Sequence, residues 1–311
     1  MRNELGVLYM LQGNKHAVVL AVSIWSLRKS GFIGPVHIAI GDDKAAEVCQ
    51  HILADPRLGP ITTARWQPPT GKRGTVYLAK THMQDLSPFE RTLFVDADTL
   101  VVGDINPLFE FGQYTAAGPA GVTLTQFSNW VSNGRKISGR IKSWADVVPD
   151  DVKEMQSKAY PAINTGVISF DRSAGSQAFF EDWRSTTEKN VVFICDELAA
   201  QLIFHRHAVR VLDDRYNASP IHSERARTGA AVIAHFHGKK HVNREQGRKL
   251  WLPVYDECVK HNLANIRAWT PAGDRRLKEF LHDRDGAGRP DEDRDDETTA
   301  CDDDAVTMAA T

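Results

Sequence analysis

Over its first 66 residues the chain alternates strand-length apolar runs with segments of helical period. Leu5 to Leu11 reads as a buried first strand, closed by Gln12-Gly13-Asn14. Ala17, Leu20, Ala21, Ile24, Trp25 and Leu27 then recur at helical spacing, which predicts an amphipathic helix to about Lys29. Gly31 and Gly34-Pro35 end that helix, and Val36 to Ile40 forms a second short strand stopped by Gly41-Asp42-Asp43. Ala45 to Ala54 is a second helix and Ile61 to Trp66 a third strand. Alternation of this kind predicts an α/β fold, a mostly parallel central sheet with crossover helices. Ligands of such sheets bind outside the carboxyl ends of the strands, so Gln12, Asp42 and Asp96 are expected along one rim.

The stretch Phe94 to Val101, FVDADTLV, places chemistry on that rim. An apolar run delivers Asp96 and Asp98 at the end of a strand, with Ala97 between them. Alternate side chains along a strand point the same way. Two carboxylates that share one site repel unless a cation lies between them, and oxygen ligands suit Mg²⁺ or Mn²⁺. A turn closed by an Asx hydrogen bond is the plain structural alternative. A divalent ion that holds a diphosphate is the economical functional one.

Charge is unevenly distributed along the 311 residues, whose formal net charge is -2. From Asp283 onward there are eleven Asp or Glu against three Arg, a tail of -8 that leaves +6 on the body. A mildly basic body favours an anionic ligand such as a nucleotide. The tail is rich in Asp, Arg, Gly and Thr and is expected to be disordered, which sets the domain at residues 1–282 and the tail at 283–311. Four scattered cysteines, Cys49, Cys195, Cys258 and Cys301, show no metal-type spacing and suit a reducing compartment. The amino terminus turns polar too quickly for a signal peptide, and no run reaches the roughly 18 apolar residues of a membrane span. A cytoplasmic protein is expected.

Further along, Pro68 to Gly74 is a basic, Pro- and Gly-containing loop, and Thr75 to Leu86 a helix that carries Lys80. Ile105 to Phe109 reads as a turn and Tyr114 to Gly118 as a strand. From Gly121 to Tyr160 the pattern weakens, and loops over an acceptor site are expected there. Val167 to Phe170 is a buried strand preceded by Asn164-Thr165-Gly166, where Gly166 leaves room for backbone to approach a ligand. Phe179 to Thr187 is helical. Asp196 and Glu197 open another helix with Leu198, Leu202 and Ile203 on its buried face, and a helix cap would by itself justify Asp196. Val209 to Leu212 is a strand that ends in Asp213-Asp214-Arg215-Tyr216-Asn217. Finally Ala230 to His241 carries His235 to a strand end, followed by His237, Gly238, Lys239 and Lys240. Imidazole completes a Mn²⁺ site more readily than a Mg²⁺ site, and lysines with a close-approaching Gly238 suit phosphate oxygens.

Taken together, strand-DxD, NTG before a strand, Asp-Glu at a helix start, DxxYN and HFxGK resemble glycosyltransferase family 8 in order and spacing, from about Gly6 to Lys240. The resemblance implies a single GT-A domain, a nucleotide-diphospho-sugar transferase fold. It implies that Asp96, Asp98 and His235 bind Mn²⁺, or Mg²⁺, and that Asn164, Thr165 and Gly166 meet the donor sugar. Asp196 would lie near the anomeric carbon, Gly238 with Lys239 or Lys240 at the diphosphate, Lys80 on the donor, and Gln12 and Gly13 in the uridine loop. Two departures are Glu197, where the family has Gln, and Lys239-Lys240-His241-Val242, where it ends in KPW.

The implied activity is metal-dependent transfer of a hexosyl unit from a UDP-sugar to an acceptor hydroxyl with retention of configuration, Asp196 or Glu197 acting as nucleophile or electrostatic support. A glycan, protein, lipid-linked sugar, polyol or modified nucleic acid would serve as acceptor, and a homo-oligomer is compatible. The alternatives are a sugar-phosphate nucleotidyltransferase, which needs a Gly-rich basic loop that LQGNKH does not supply, and a non-catalytic sugar-nucleotide binder. A hydrolase built on His235, His237 and the Asp pair lacks further ligands at suitable spacing.

Overall fold

The computed structural model describes residues 3–14, 16–66, 75–110, 114–115, 118–192, 194–237 and 245–269. Its first half follows the sequence pattern: β1 (Asn3–Leu11), α1 (Ala17–Lys29), β2 (Val36–Ile40), α2 (Asp43–Leu53) and β3 (Ile61–Arg65). Buried Val and Ile rows on both faces make β1 and β2 interior strands, while the Asp42 carboxylate caps α2 by accepting from the Ala45 N–H at 2.8 Å. The helix expected over Thr75 to Leu86 is two short ones, α3 (Thr75–Lys80) and α4 (Met83–Leu86). The break falls at Thr81, whose hydroxyl donates back to the Leu78 carbonyl.

Next come β4 (Phe89–Val95) and the three-residue β5 (Thr99–Val101). The strand expected at Tyr114 to Gly118 is instead a small hairpin, β6 (Tyr114–Thr115) with β7 (Gly118–Pro119). The weakly patterned stretch after Gly121 contains β8 (Val122–Val131), α5 (Arg135–Ile141) and α6 (Pro149–Ser157), not loops. Thr123, Thr125 and Ser128 are buried in β8 and Thr125 bonds within the protein, so polar residues occupy core positions and disguise a central strand as a loop.

The chain continues with β9 (Pro161–Phe170), α7 (Ala174–Lys189), α8 (Cys195–Ile203), β10 (Val209–Leu212), α9 (Glu224–Thr228), β11 (Ile233–His235) and α10 (Glu245–Lys260). Seven strands form the main sheet in the order β10-β8-β9-β4-β1-β2-β3. Only β9 runs against its neighbours β4 and β8; the other pairs are parallel, as the alternation requires. One face is filled by Phe170, Phe179, Phe180 and Trp183, all 1 % exposed or less. Burial of each such side chain contributes on the order of 2 kcal/mol.

A separate two-stranded ladder pairs β5 with β11, His235 lying opposite Thr99. Helix α1 is buried almost all round, and its Ser26 hydroxyl accepts from the Val101 N–H at 2.9 Å, which fixes β5. Cys49, Cys195 and Cys258 are buried free thiols. Among the described residues no helix is long and apolar enough to cross a membrane. The basic loop at 68–74, Gly238 to Lys240 and the acidic tail with Cys301 lie outside the described residues.

Candidate metal and nucleotide site

Strand β4 ends at Val95, and Asp96-Ala97-Asp98 turns the chain into β5. A line of hydroxyls holds that turn from beneath. Thr99 donates to the Asp96 carbonyl at 2.8 Å, which leaves its oxygen to accept from Ser23 at 3.0 Å, and Tyr9 completes the line to Ser23 at 3.1 Å. Burial pushes the Tyr9 phenol up to about 12, so it stays a neutral donor. On either side the Asp96 N–H donates to the Gly166 carbonyl at 2.8 Å and the Phe236 N–H to the Asp98 carbonyl at 3.0 Å. The turn is therefore tied to β9 and to the end of β11.

The β5–β11 ladder brings His235 to this turn from far along the chain. Its Nε2 lies 3.3 Å from Asp98 Oδ1 and 3.7 Å from Asp96 Oδ2, and one ligand atom from each residue falls within 4.8 Å of the other two. On the opposite edge of the ring, Nδ1 is 2.7 Å from Asn217 Oδ1. Two carboxylates and an imidazole converge at a point suited to a divalent cation with mixed oxygen and nitrogen ligands. Gly166 makes the convergence possible: a Cβ there would stand 2.1 Å from His235 Cε1. The open side of Gly166, expected to admit a ligand, is filled by the His235 ring.

Lys80, at the end of α3, donates to Asp96 Oδ2 at 2.8 Å and lies 3.7 Å from Asp196 Oδ2. Burial alone would depress the Lys80 ammonium, but the charges of Asp96, Asp196 and Asp98 outweigh burial and hold it above its ordinary value. Asp196 and Glu197 occupy the first turn of α8, where the helix dipole favours negative charge. Asp196 does not cap the helix; its carboxylate accepts from Thr165 Oγ1 at 2.9 Å. Glu197 accepts from Asn164 Nδ2, and Arg140 Nη1 lies 3.7 Å from its other oxygen. Burial pushes the Glu197 carboxyl up to about 7, helped by the Asp196 charge and opposed by Arg140, Lys80 and Asn164. Asn164 and Thr165 thus stand behind the acidic pair, both buried, with their side chains committed to protein partners.

On the β1–β2 side of Asp96 a half-open cleft is lined by Gln12, Gly41, Trp66, Ala79, Lys80 and Asp96 among others. It lies where the strand ends open. Gly13 has φ 65° and spends its N–H on Asp42 Oδ2 at 2.8 Å, so this N–H is not presented to a phosphate as a nucleotidyl-transfer loop requires. Beyond His235 an aromatic wall begins, with the His237 ring tilted against it at 3.9 Å between centroids, then Phe127 at 5.0 Å from His237 and Trp130 at 4.9 Å from Phe127. Ser128, Ile194 and His237 adopt left-handed φ of 54°, 52° and 46°. Such strain in non-glycine residues costs about 1 to 2 kcal/mol each, and Asn262, Ala264 and Asn265 carry it as well in a turn after α10.

Asp96, Asp98, His235, Lys80, Asp196, Glu197 and the Asn164-Thr165-Gly166 segment thus come together, with Gln12 lining the cleft and Gly13 next to it bonded to Asp42. Ala97 contributes only the turn between the two carboxylates. Three residues of the site were not singled out for it: Arg140, hidden in the weakly patterned stretch; Trp66, legible only as the end of a strand; and Asn217, visible in its motif without a task.

No family model matches the chain, and no curated protein sequence matches it. Similarity to solved structures is extensive. An active-site mutant of the LgtC protein in which a glutamine is replaced by glutamate is 15% identical, with a TM-score of 0.54, covering 82% of this chain and 95% of that one. The galactosyltransferase LgtC with donor and acceptor sugar analogues is 12% identical with the same TM-score, covering 89% and 100%. The bifunctional glycosyltransferase WbbM is 11% identical at TM-score 0.54, and there the chain spans only 52% of the neighbour's length. The glycosyltransferase GlyE of Streptococcus pneumoniae is 14% identical at TM-score 0.52, with 64% of its length covered. These likenesses show the fold: a mixed sheet, mostly parallel and flanked by helices, of the GT-A type.

Proposed function

We propose that this GT-A chain is a metal-dependent, retaining glycosyltransferase of the family 8 kind, which moves a hexosyl unit from a UDP-sugar to an acceptor hydroxyl. The observation that carries this reading is the convergence of Asp96, Asp98 and His235 within 4.8 Å at the edge of the cleft that Asp96 and Lys80 line. The donor set fits Mn²⁺: two carboxylates and one imidazole whose Nε2 faces them. Asp96, Asp98 and His235 would hold the ion, which when bound supplies Lewis-acid stabilisation of the departing diphosphate.

The chain's own residues do the rest. The cleft beside Trp66 and Gln12 takes the nucleoside, with Gly238 and Lys239 or Lys240 at the diphosphate. Lys80 holds Asp96 in place and keeps a positive charge between the metal ligands and Asp196. Asp196, joined by Glu197 where that carboxyl is ionised above about pH 7, presents negative charge to the sugar, where a carboxylate supports an oxocarbenium-like state or acts as the nucleophile. Asn164 and Arg140 orient Glu197, and the aromatic wall from His237 to Trp130 flanks the acceptor's approach. The transferase domain ends near residue 282, and the enzyme acts in the cytosol.

Donor hydrolysis needs no acceptor, so a panel of UDP-sugars incubated with enzyme and Mn²⁺ tests the reading. Slow release of UDP from one or two donors, abolished by chelator and by Asp98→Asn, is expected. Release of UDP from none of them, or equal release with chelator, contradicts it.

A further inference from the structure

Of the motifs in this chain, the turn from Asp213 to Asn217 has so far no chemical task. Asn217 is fully buried, and its backbone neighbour Ala218 bridges to β11, accepting from the His235 N–H at 2.9 Å. Its amide is oriented without ambiguity. One end lies 2.9 Å from Thr125 Oγ1, 3.0 Å from Asn164 Oδ1 and 3.3 Å from the Asn164 carbonyl. Thr125 spends its own proton on the Val167 carbonyl, and Asn164 Oδ1 already accepts from the Gly166 N–H. All three are acceptors, so that end is the NH₂ group and Oδ1 faces His235. His235 Nδ1 must then carry a proton, so in the neutral ring that ligates a metal the lone pair belongs to Nε2, which faces the space shared with Asp96 and Asp98.

The same logic continues outward. With both sources donating to Asn164 Oδ1, its Nδ2 is turned to Glu197. The donations run one way: His235 to Asn217, Asn217 to Asn164, Asn164 to Glu197. We infer that Asn217 is a positioning residue that fixes the His235 tautomer for metal binding and, through Asn164, ties the metal ligands to the orientation of Glu197. This rests on the metal-dependent reading above. Outer partners of a ligating His fix its tautomer and ring orientation, and their loss costs roughly 10- to 100-fold in metal affinity or activity.

Two variants separate the two ends of the relay. Asn217→Ala removes the acceptor for His235 Nδ1–H. Asn217→Asp keeps an acceptor there but cannot donate to Asn164, whose amide must turn its NH₂ away from Glu197. Mn²⁺ affinity is read from free Mn²⁺ by electron paramagnetic resonance with UDP present, turnover from donor hydrolysis, and folding from metal-free melting. Asn217→Ala is expected to weaken Mn²⁺ binding about 10- to 100-fold. Asn217→Asp should retain Mn²⁺ affinity within a few-fold while its turnover falls at least tenfold. Equal loss of Mn²⁺ affinity in both folded variants, or no loss in either, overturns the inference while leaving the metal site intact. A wild-type protein that binds no Mn²⁺ overturns both. If Asn217→Ala fails to fold, Asn217→Asp alone decides by the split between affinity and turnover.

Discussion

Glu197 carries the clearest consequence at the scale of single residues. Its carboxyl is raised from 4.5 to about 7 in the fold, chiefly by burial. A carboxyl whose folded value exceeds its unfolded value favours folding while protonated. That contribution is complete below about pH 4.5 and is lost as pH rises through about 7. Metal-free protein should therefore lose on the order of 2 to 3 kcal/mol between pH 4.5 and pH 8, and Glu197→Gln should lose much less over the same window. Chemical unfolding of both proteins across that range checks it; parallel curves contradict it. Lys80 makes the opposite case, as a buried cation facing Asp96 and Asp196. Lys80→Met leaves two carboxylates without their counter-charge, and a loss of about 3 kcal/mol in unfolding free energy at pH 8 is expected. A loss well under 1 kcal/mol would mean that the three groups are more weakly coupled than their distances imply.

Among the elements, β9 and the β5–β11 ladder set the site's geometry, and they test it through Gly166. A methyl at Gly166 meets the His235 ring at 2.1 Å, so Gly166→Ala must displace either β9 or the imidazole. Overpacking of this kind costs about 1 to 3 kcal/mol. Thermal melting and Mn²⁺ titration should both move, stability downward and the metal constant upward; a lowered melting temperature with an unchanged metal constant would mean that β9 gives way and the imidazole keeps its place. The elements also divide cleanly by what a sequence can display. β1, α1 and β2 were legible as apolar runs of strand or helix length that stop at Gly, Pro or Asp, although α1 is buried almost all round and not on one face as an amphipathic helix would be. β8 was not, since Thr123, Thr125 and Ser128 are polar yet buried, and Thr125 finds its partners far along the chain in the Val167 carbonyl and Asn217. Asp96 and Asp98 were visible as a pair on one strand end; His235 stood at another strand end as an imidazole suited to Mn²⁺, and the family resemblance assigned it to the same ion. Nothing local announces that β11 pairs with β5, nor that Asn217 and Arg140 lie beside these groups.

The whole molecule pairs a mildly basic body with an acidic tail, and its sheet opens all its parallel strands toward one rim. If the domain ends near residue 282, deletion from Asp283 onward should leave the melting temperature and the rate of donor hydrolysis unchanged. A fall of several degrees would place part of the tail in the folded body. The fold likeness to LgtC, WbbM and GlyE fixes the architecture, and the chemistry rests on whether two aspartates and one histidine act together. Crystals grown with UDP and Mn²⁺, with anomalous scattering recorded at the manganese edge, address that most directly. The account predicts one strong peak coordinated by Asp96, Asp98 and His235 Nε2, with the diphosphate on the same ion and the uridine in the cleft beside Gln12 and Trp66. A manganese peak elsewhere, or UDP bound with His235 pointing away from it, would contradict the account.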